Sequence, residues 1–274
     1  MKKIIPCLLI VCLLCGCSFL GSEPTSAPQT EAPTVPETLT VIPTEEELPP
    51  ETESETEPET LSEHSALYIP DLAVEDVIVY FNEVCLATEY ATEGDGDATL
   101  VQKWVTPIYY WLYDEYTDED AVLIEQFAAE LNALEGFPGM YPAEYADQAN
   151  LTISFWNQDR LMEELGYVVN NEISDGIVHF WYNGDNELFD EEIGIRSDLS
   201  QYERDPVILE EIYNGLGPVQ DTVLREDSLI YQYYTIPEGL TEVDWLILKL
   251  LYHPDIWCGM DAAACEQIIR SLYY

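Results

Sequence analysis

The acidic segment near the start of the chain decides where this sequence can fold. From Ser18 to His64 it is built mainly from Glu, Pro, Thr and Ser, with no Lys or Arg and few large apolar side chains. Such a segment cannot bury enough apolar surface to offset the entropy lost on ordering. We therefore predict a disordered acidic tether over residues 17–65 and a single folded domain over residues 66–274.

The residues before the tether have the pattern of an export signal. Lys2 and Lys3 precede an apolar run from Ile4 to Leu14. That run is shorter than the roughly 20 residues a membrane-spanning helix needs, and small residues end it, as in a cleaved signal peptide. The sequence predicts a signal peptide over residues 1–16 and argues against an uncleaved anchor helix.

The end of the apolar run reads Leu14-Cys15-Gly16-Cys17 and resembles the lipobox of bacterial lipoproteins. In those proteins the cysteine thiol receives a lipid before cleavage makes it the first residue. The resemblance implies lipidation of Cys17 and a membrane partner through that lipid. It also implies a location outside the cytoplasm, on a cell surface of the Gram-positive type. An ordinary secretory signal with an incidental cysteine is the alternative.

The tether has a composition that favours an extended spacer. Its glutamates repel one another and its prolines favour polyproline geometry. A spacer of this kind suits a domain held away from a membrane, and an acidic recognition tail is the alternative.

The charge of the chain limits its partners. The net charge is -45, and acidic residues also predominate beyond residue 64. Nucleic acid and anionic lipid headgroups would be repelled. We therefore expect no nucleic-acid partner, and we expect a protein or peptide of the cell envelope or the extracellular space instead.

Three cysteines remain once the signal peptide and Cys17 are set aside, namely Cys85, Cys258 and Cys265. The spacing of the last two lets a loop fold back on the start of a helix, and export permits oxidation. We predict a disulfide between Cys258 and Cys265, with Cys85 as a buried thiol.

Helical and strand patterns alternate along the domain. Helices are predicted over 76–88, from Thr117 towards Gly136, and after Asp205-Pro206, Leu240-Thr241 and Asp261; strands are predicted over 107–113, 151–156, 176–182 and 188–196. Asn183-Gly184, between the last two strands, is a strong hairpin signal. The order favours an α+β fold with a small, mostly antiparallel sheet.

One helix and the turn after it resemble a known motif. The segment Glu210-Glu211-Ile212-Tyr213-Asn214-Gly215-Leu216-Gly217-Pro218-Val219-Gln220 is similar to the H-E-x-x-H-x-x-G-x-x-H helix and turn of metzincin zinc peptidases. The acid and the turn glycine are kept, and all three histidines are replaced. The resemblance implies a zincin-like fold with a helix of the active-site type, followed by a helical C-terminal part.

Further segments point to a particular family. They are Phe81-Asn82-Glu83-Val84, Gly136-Phe137-Pro138-Gly139, Leu251-Tyr252-His253-Pro254 and Gly259-Met260. With the motif helix, they make the chain from about residue 70 to 274 resemble the bacterial lipoprotein family called domain of unknown function 2927.

The replaced histidines decide which metal the motif helix suits. A catalytic zinc needs three ligands, and residues four apart on a helix point the same way to supply two of them. Glu210 and Asn214 occupy that face, and Gln220 and Asp221 follow the turn. These oxygen ligands suit zinc poorly and calcium better. We expect no cofactor, and the alternative is an oxygen-preferring divalent metal held by these four residues.

Two functions follow from these residues. The favoured one is a surface-anchored lipoprotein whose domain is a non-catalytic binding or scaffolding module. Its cleft, between the sheet edge and the helix at 206–216, would accept an extended peptide as an added strand. The alternative is a metal-dependent peptidase or hydrolase with atypical oxygen ligands, in which Glu211 is the general base.

Overall fold

The computed structural model describes residues 65–87, 99–166, 173–233 and 235–274. The predicted signal peptide, Cys17 and nearly the whole tether lie outside these residues. Within these four ranges, no helix is long and apolar enough to cross a membrane.

Six α-helices and six strands make up the described fold. The helices are α1 (Val74–Leu86), α2 (Asp118–Leu131), α3 (Gln158–Glu164), α4 (Gln201–Gly215), α5 (Glu242–Leu251) and α6 (Ala262–Tyr273). The strands are β1 (Lys103–Trp104), β2 (Ile108–Asp114), β3 (Met140–Pro142), β4 (Leu151–Trp156), β5 (Gly176–Tyr182) and β6 (Glu187–Arg196).

All six strands form one sheet in the order β1-β6-β4-β2-β3, with β5 also paired to β6. Four strand pairings are parallel, and only the pairing of β5 with β6 is antiparallel. The predicted α+β class with a mostly antiparallel sheet is therefore wrong, and the fold is α/β. The zincin-like part of that prediction is not confirmed.

The connections between strands explain the correction. The chain between β2 and β4 includes α2, and a helical crossover of that kind brings the next strand back in the same direction. The predicted hairpin at Asn183-Gly184 is confirmed, because β5 and β6 are antiparallel across it. A hairpin signal describes only the pair of strands that it joins.

Local signals place most helix starts correctly. Thr117 and Thr241 each cap a helix through a capping box, and Asp261 caps α6. The start of α4 differs from the prediction. It begins at Gln201, where the Ser200 N–H and hydroxyl both donate to the Glu203 carboxylate. Asp205 and Pro206, where the sequence predicted the helix to begin, therefore lie inside it.

The two faces of the sheet are covered differently. Alternate residues of each strand point to opposite faces. Ile153, Val178 and Ile193 belong to the main core, which also contains side chains of α1, α2, α4, α5 and α6. On the other face, Ile177 packs with Leu161 and Leu165 of the α3 region in a small separate cluster. Helix α4 thus lies on the core face of β5 and β6.

A buried ion pair fixes α4 against α2. Arg204 Nε lies 2.9 Å from Asp120 Oδ1, and the two side chains are 5% and 0% exposed. Gln201 Nε2 and the Thr117 N–H also donate to the Asp120 carboxylate. Arg204 donates in addition to the carbonyl oxygens of residues 197 and 199. Because these buried charges have several partners, the register between the two helices is set here.

A second buried carboxylate joins the start of α5 to α1. Asp244 accepts hydrogen bonds from the hydroxyls of Tyr80 and Ser228, at 3.2 and 2.7 Å. It also accepts from the Leu229 N–H and from the N–H and hydroxyl of Thr241. One side chain therefore ties together a helix start, α1 and the loop at 228–229.

Candidate functional site

Helix α4 carries the motif residues into the interior. Glu210, Glu211 and Asn214 are 4%, 1% and 0% exposed, because α4 packs over β5 and β6. Glu211 lies against Gly176 of β5, where a Cβ atom would come within 2.5 Å of Glu211 Oε1. A glycine at this position of the strand therefore makes room for the carboxylate.

The turn after α4 packs against the end of α1. The Gln220 N–H donates to the Val84 carbonyl oxygen at 3.3 Å, and Asp221 is 4% exposed. The Thr222 hydroxyl donates to the Glu83 carboxylate. The structure thus brings the motif turn together with the segment at 81–84, which the sequence resemblance also singled out.

The predicted metal ligands Glu210 and Asn214 lie on α4 beside the predicted base Glu211, and Gln220 and Asp221 lie in the turn after α4. Glu211 lies against β5, Glu210 lines a cavity beside α4, and Gln220 lies in the turn near α1. Across the described part of the chain, no group of three or more His, Cys, Asp or Glu residues is placed to hold a metal ion. An oxygen-preferring metal held by Glu210, Asn214, Gln220 and Asp221 therefore stays a prediction.

A small cavity of about 40 Å³ lies between α4, the start of β5 and the segment after Leu229. Its walls combine carboxylates with mostly apolar side chains. The cavity is lined by Asp175, Glu203, Glu210, Leu199, Pro206, Val207, Leu229, Tyr231, Thr235, Ile236 and Pro237. Arg196 pairs with Asp175 at 2.6 Å. A space of this size holds one or two water-sized groups, such as the end of a side chain.

Glu191 is a buried acid that sequence reasoning missed. It is 1% exposed, and a Cβ atom on Gly215 of α4 would overlap its Oε1 atom. Burial raises the pKa of Glu191 well above its ordinary value. A hydrogen bond from Trp104 lowers this pKa, and the negative charge of Asp190 raises it further. The sequence did contain a signal for its burial: Glu191, Ile193 and Ile195 occupy alternate positions of β6 and therefore point to the same, inward face of the sheet.

Replacing Glu191 with glutamine should change how stability depends on pH. The folded protein binds this proton more tightly than the unfolded chain does. The protonated carboxyl therefore makes its full contribution to the free energy of unfolding below its ordinary pKa of 4.5. This contribution is lost as pH rises towards the raised pKa. We expect the stability of Glu191→Gln relative to wild type to increase above pH 4.5, by up to about 1.4 kcal/mol per pH unit.

Urea unfolding between pH 4 and 8 measures this difference, and Glu130→Gln, at an exposed position of α2, is the control. A constant difference across that range would show that Glu191 is already ionised in the folded protein.

All three cysteines of the described domain are free thiols in the structure. Cys265 is fully buried, whereas Cys258 is half-buried with its Sγ 3.7 Å from the Lys103 carbonyl oxygen. The structure contains no bond between Cys258 and Cys265, and the disulfide between them stays a prediction. Cys85 is buried, in agreement with its predicted setting.

We expect thiol labelling of the unreduced protein to follow burial. Burial raises the pKa of Cys85 well above its usual range and that of Cys265 to about 11. Cys258 should react first in the folded protein, and Cys85 and Cys265 only after unfolding. Mass spectrometry after labelling in denaturant should find all three modified. Modification of Cys85 alone would instead support the disulfide.

Two of the segments that carry the resemblance meet around Lys103. Gly136 and Pro138 face Tyr252 and Pro254 across a pocket of about 540 Å³. Lys103 Nζ donates to the carbonyl oxygens of residues 251 and 256, and burial lowers its pKa to about 8. This pocket lies near the C-terminal end of α4, since the Tyr252 hydroxyl donates to the Leu216 carbonyl oxygen.

The fold and the site define an α/β domain whose mostly parallel sheet carries a helix with buried acids. The family model described as Protein of unknown function (DUF2927) matches residues 75–271. The chain therefore belongs to this family, as the sequence resemblance indicated. No curated protein matches it.

Proposed function

We propose that this protein is an exported lipoprotein, held at the outer side of a membrane through Cys17, whose domain is a non-catalytic binding or scaffolding module. Its ligand is an extended peptide segment of a cell-envelope or extracellular protein. The segment lies along β5 and places one side chain in the cavity beside α4.

The observation that carries this proposal is the position of β5. Among the described strands, β5 pairs with β6 alone, so it ends the sheet on that side. Strands at a sheet edge are where added strands bind, through main-chain hydrogen bonds and pockets for alternate side chains. The cavity near Glu210 begins at Asp175, next to the first residue of β5. The first residues of a sheet-edge strand and a side-chain pocket thus lie side by side.

Peptide retention tests the binding module. The full chain in detergent is incubated with a mixed pool of ten-residue peptides, and the retained and cleaved peptides are identified by mass spectrometry. We expect retention without cleavage. Tyr231→Ala should reduce retention because Tyr231 lines the cavity, whereas Tyr145→Ala should not, because Tyr145 is 57% exposed and does not line it.

The same samples test the enzymatic alternative. Elemental analysis of protein purified without chelator measures bound metal. Stoichiometric metal together with cleavage that Glu211→Gln abolishes would overturn the binding module.

Metabolic labelling with an alkyne fatty acid tests the anchor. Wild-type protein should carry the label, and Cys17→Ser should lose it. Cys15→Ser is the matched control, because residue 15 leaves with the predicted signal peptide. Label that survives Cys17→Ser would contradict lipidation at that residue.

A further inference from the structure

The sheet face opposite α4 carries a group of aromatic side chains. Tyr109, Trp111 and Tyr113 occupy alternate positions of β2, and Tyr141 of β3 is paired with Tyr109. Tyr109, Tyr113 and Tyr141 are 43%, 39% and 46% exposed. The ring centroids of Tyr109 and Tyr141 are 6.3 Å apart, and those of Trp111 and Tyr113 are 6.4 Å apart. The four rings therefore form two pairs on one face of the sheet.

The strand register extends this group across the sheet. Trp111 is paired with Thr152, Thr152 with Glu192, and Glu192 with His179. In the next position of β5, Trp181 is paired with Asp190, and its ring lies 4.1 Å from that of His179. Strands lie about 4.8 Å apart, so Glu192 is roughly 10 Å from Trp111. Two exposed carboxylates therefore lie between aromatic rings on either side. We call this surface the aromatic face: Tyr109, Trp111, Tyr113, Tyr141, Trp181, Asp190 and Glu192.

Helix α3 covers only one end of this side of the sheet. Leu161 and Leu165 pack over Gly194 and Ile177, where a Cβ atom on the glycine would overlap Leu161. Helices α2 and α4 pack on the core side. In the residues that the structure describes, the rings of β2 and β3 thus stay accessible, as their exposure shows.

The charge of the aromatic face is negative and is not balanced locally. Within the described ranges, neither Asp190 nor Glu192 has an ion-pair partner, and the two nearby arginines on this side pair elsewhere. Arg160 pairs with Asp114, and Arg196 pairs with Asp175 and Asp198. Partial burial raises the pKa of both Asp190 and Glu192. A cation placed beside these two carboxylates would lower their pKa again.

We propose that the aromatic face binds a basic segment of a partner protein, with Lys or Arg side chains stacked on Trp111 and Trp181 and paired with Asp190 and Glu192. A cation over a Tyr or Trp ring is attracted by the ring, and the carboxylates complement its charge. Anionic polymers are repelled by this surface. The aromatic face lies on the other side of the sheet from the cavity beside α4, so a segment bound there does not occupy that cavity.

Binding of a hexalysine peptide to the full chain in detergent, at about 0.15 M salt so that long-range attraction is screened, tests the proposal. We expect the double variant Tyr109→Leu with Trp111→Leu to weaken binding roughly three- to tenfold, since leucine keeps the apolar area but loses the ring. Tyr202→Leu is the matched control, because Tyr202 is 69% exposed on α4 and lies away from this face. It should bind as wild type does.

A second pair of variants distinguishes binding at the aromatic face from attraction to the overall negative charge of the chain. Glu192→Gln and Glu130→Gln each remove one negative charge, but only Glu192 lies on the aromatic face. Selective weakening by Glu192→Gln, roughly two- to fivefold, supports the proposal. Equal effects of the two variants, or unchanged binding in the aromatic double variant with its fold retained by circular dichroism, would overturn it. Binding of a neutral glucose hexasaccharide at this face, in place of hexalysine, would also overturn it.

Discussion

Replacing Arg204 with methionine is expected to lower the free energy of unfolding by about 3–5 kcal/mol. The substitution keeps most of the side-chain volume and removes the positive charge. It leaves Asp120, which is fully buried, without its ion-pair partner. An uncompensated carboxylate inside the protein costs far more than the lost contact alone. Urea unfolding monitored by tryptophan fluorescence measures the change.

An exposed arginine provides the control for Arg204. Arg270 pairs with Glu75 at 2.8 Å and with Glu266 at 2.9 Å, but its side chain is 42% exposed. Exposed ion pairs contribute roughly 0–1 kcal/mol, so Arg270→Met should lose no more than that. If the two variants lost the same stability, burial of the Asp120–Arg204 pair would not be the cause.

Replacing Asp244 with alanine is expected to cost about 4 kcal/mol of stability. The change removes the acceptor for two hydroxyls on other elements, those of Tyr80 and Ser228, and for the capping hydrogen bonds of Thr241. Each buried donor left without an acceptor costs roughly 1–3 kcal/mol. Thermal unfolding followed by circular dichroism measures the loss.

Two further variants distinguish the stability contributed by the buried hydrogen bonds of Asp244 from the stability contributed by a helix cap alone. Asp261→Ala removes an exposed cap from α6, where Asp261 accepts from the Ala264 N–H at 2.9 Å, and it should cost about 1 kcal/mol. Tyr80→Phe removes one donor from the network and should also cost about 1 kcal/mol. An Asp244→Ala loss as small as that of Asp261→Ala would mean that water replaces the missing carboxylate.

The candidate site was readable from the sequence only in part. The motif segment predicted a helix with Glu210, Glu211 and Asn214 on it, and α4 places all three in the interior. The surroundings of these three residues could not be predicted. Gly176 and Glu191 touch residues of α4, but they lie on strands that are distant from α4 in sequence. No local pattern specifies which strand lies beneath a helix.

Elements that depend on neighbouring residues were determined by the sequence itself. The capping boxes at Thr117 and Thr241 and the hairpin at Asn183-Gly184 arise from contacts between residues a few positions apart, and all three are present. Tertiary structure alone decided that β2, β4 and β6 pair with one another and run parallel, because no local signal specifies which strands pair across a helical connection. Tertiary structure also decided the pairing of Asp120 with Arg204, since burial of a charge requires a partner that only the folded chain brings near.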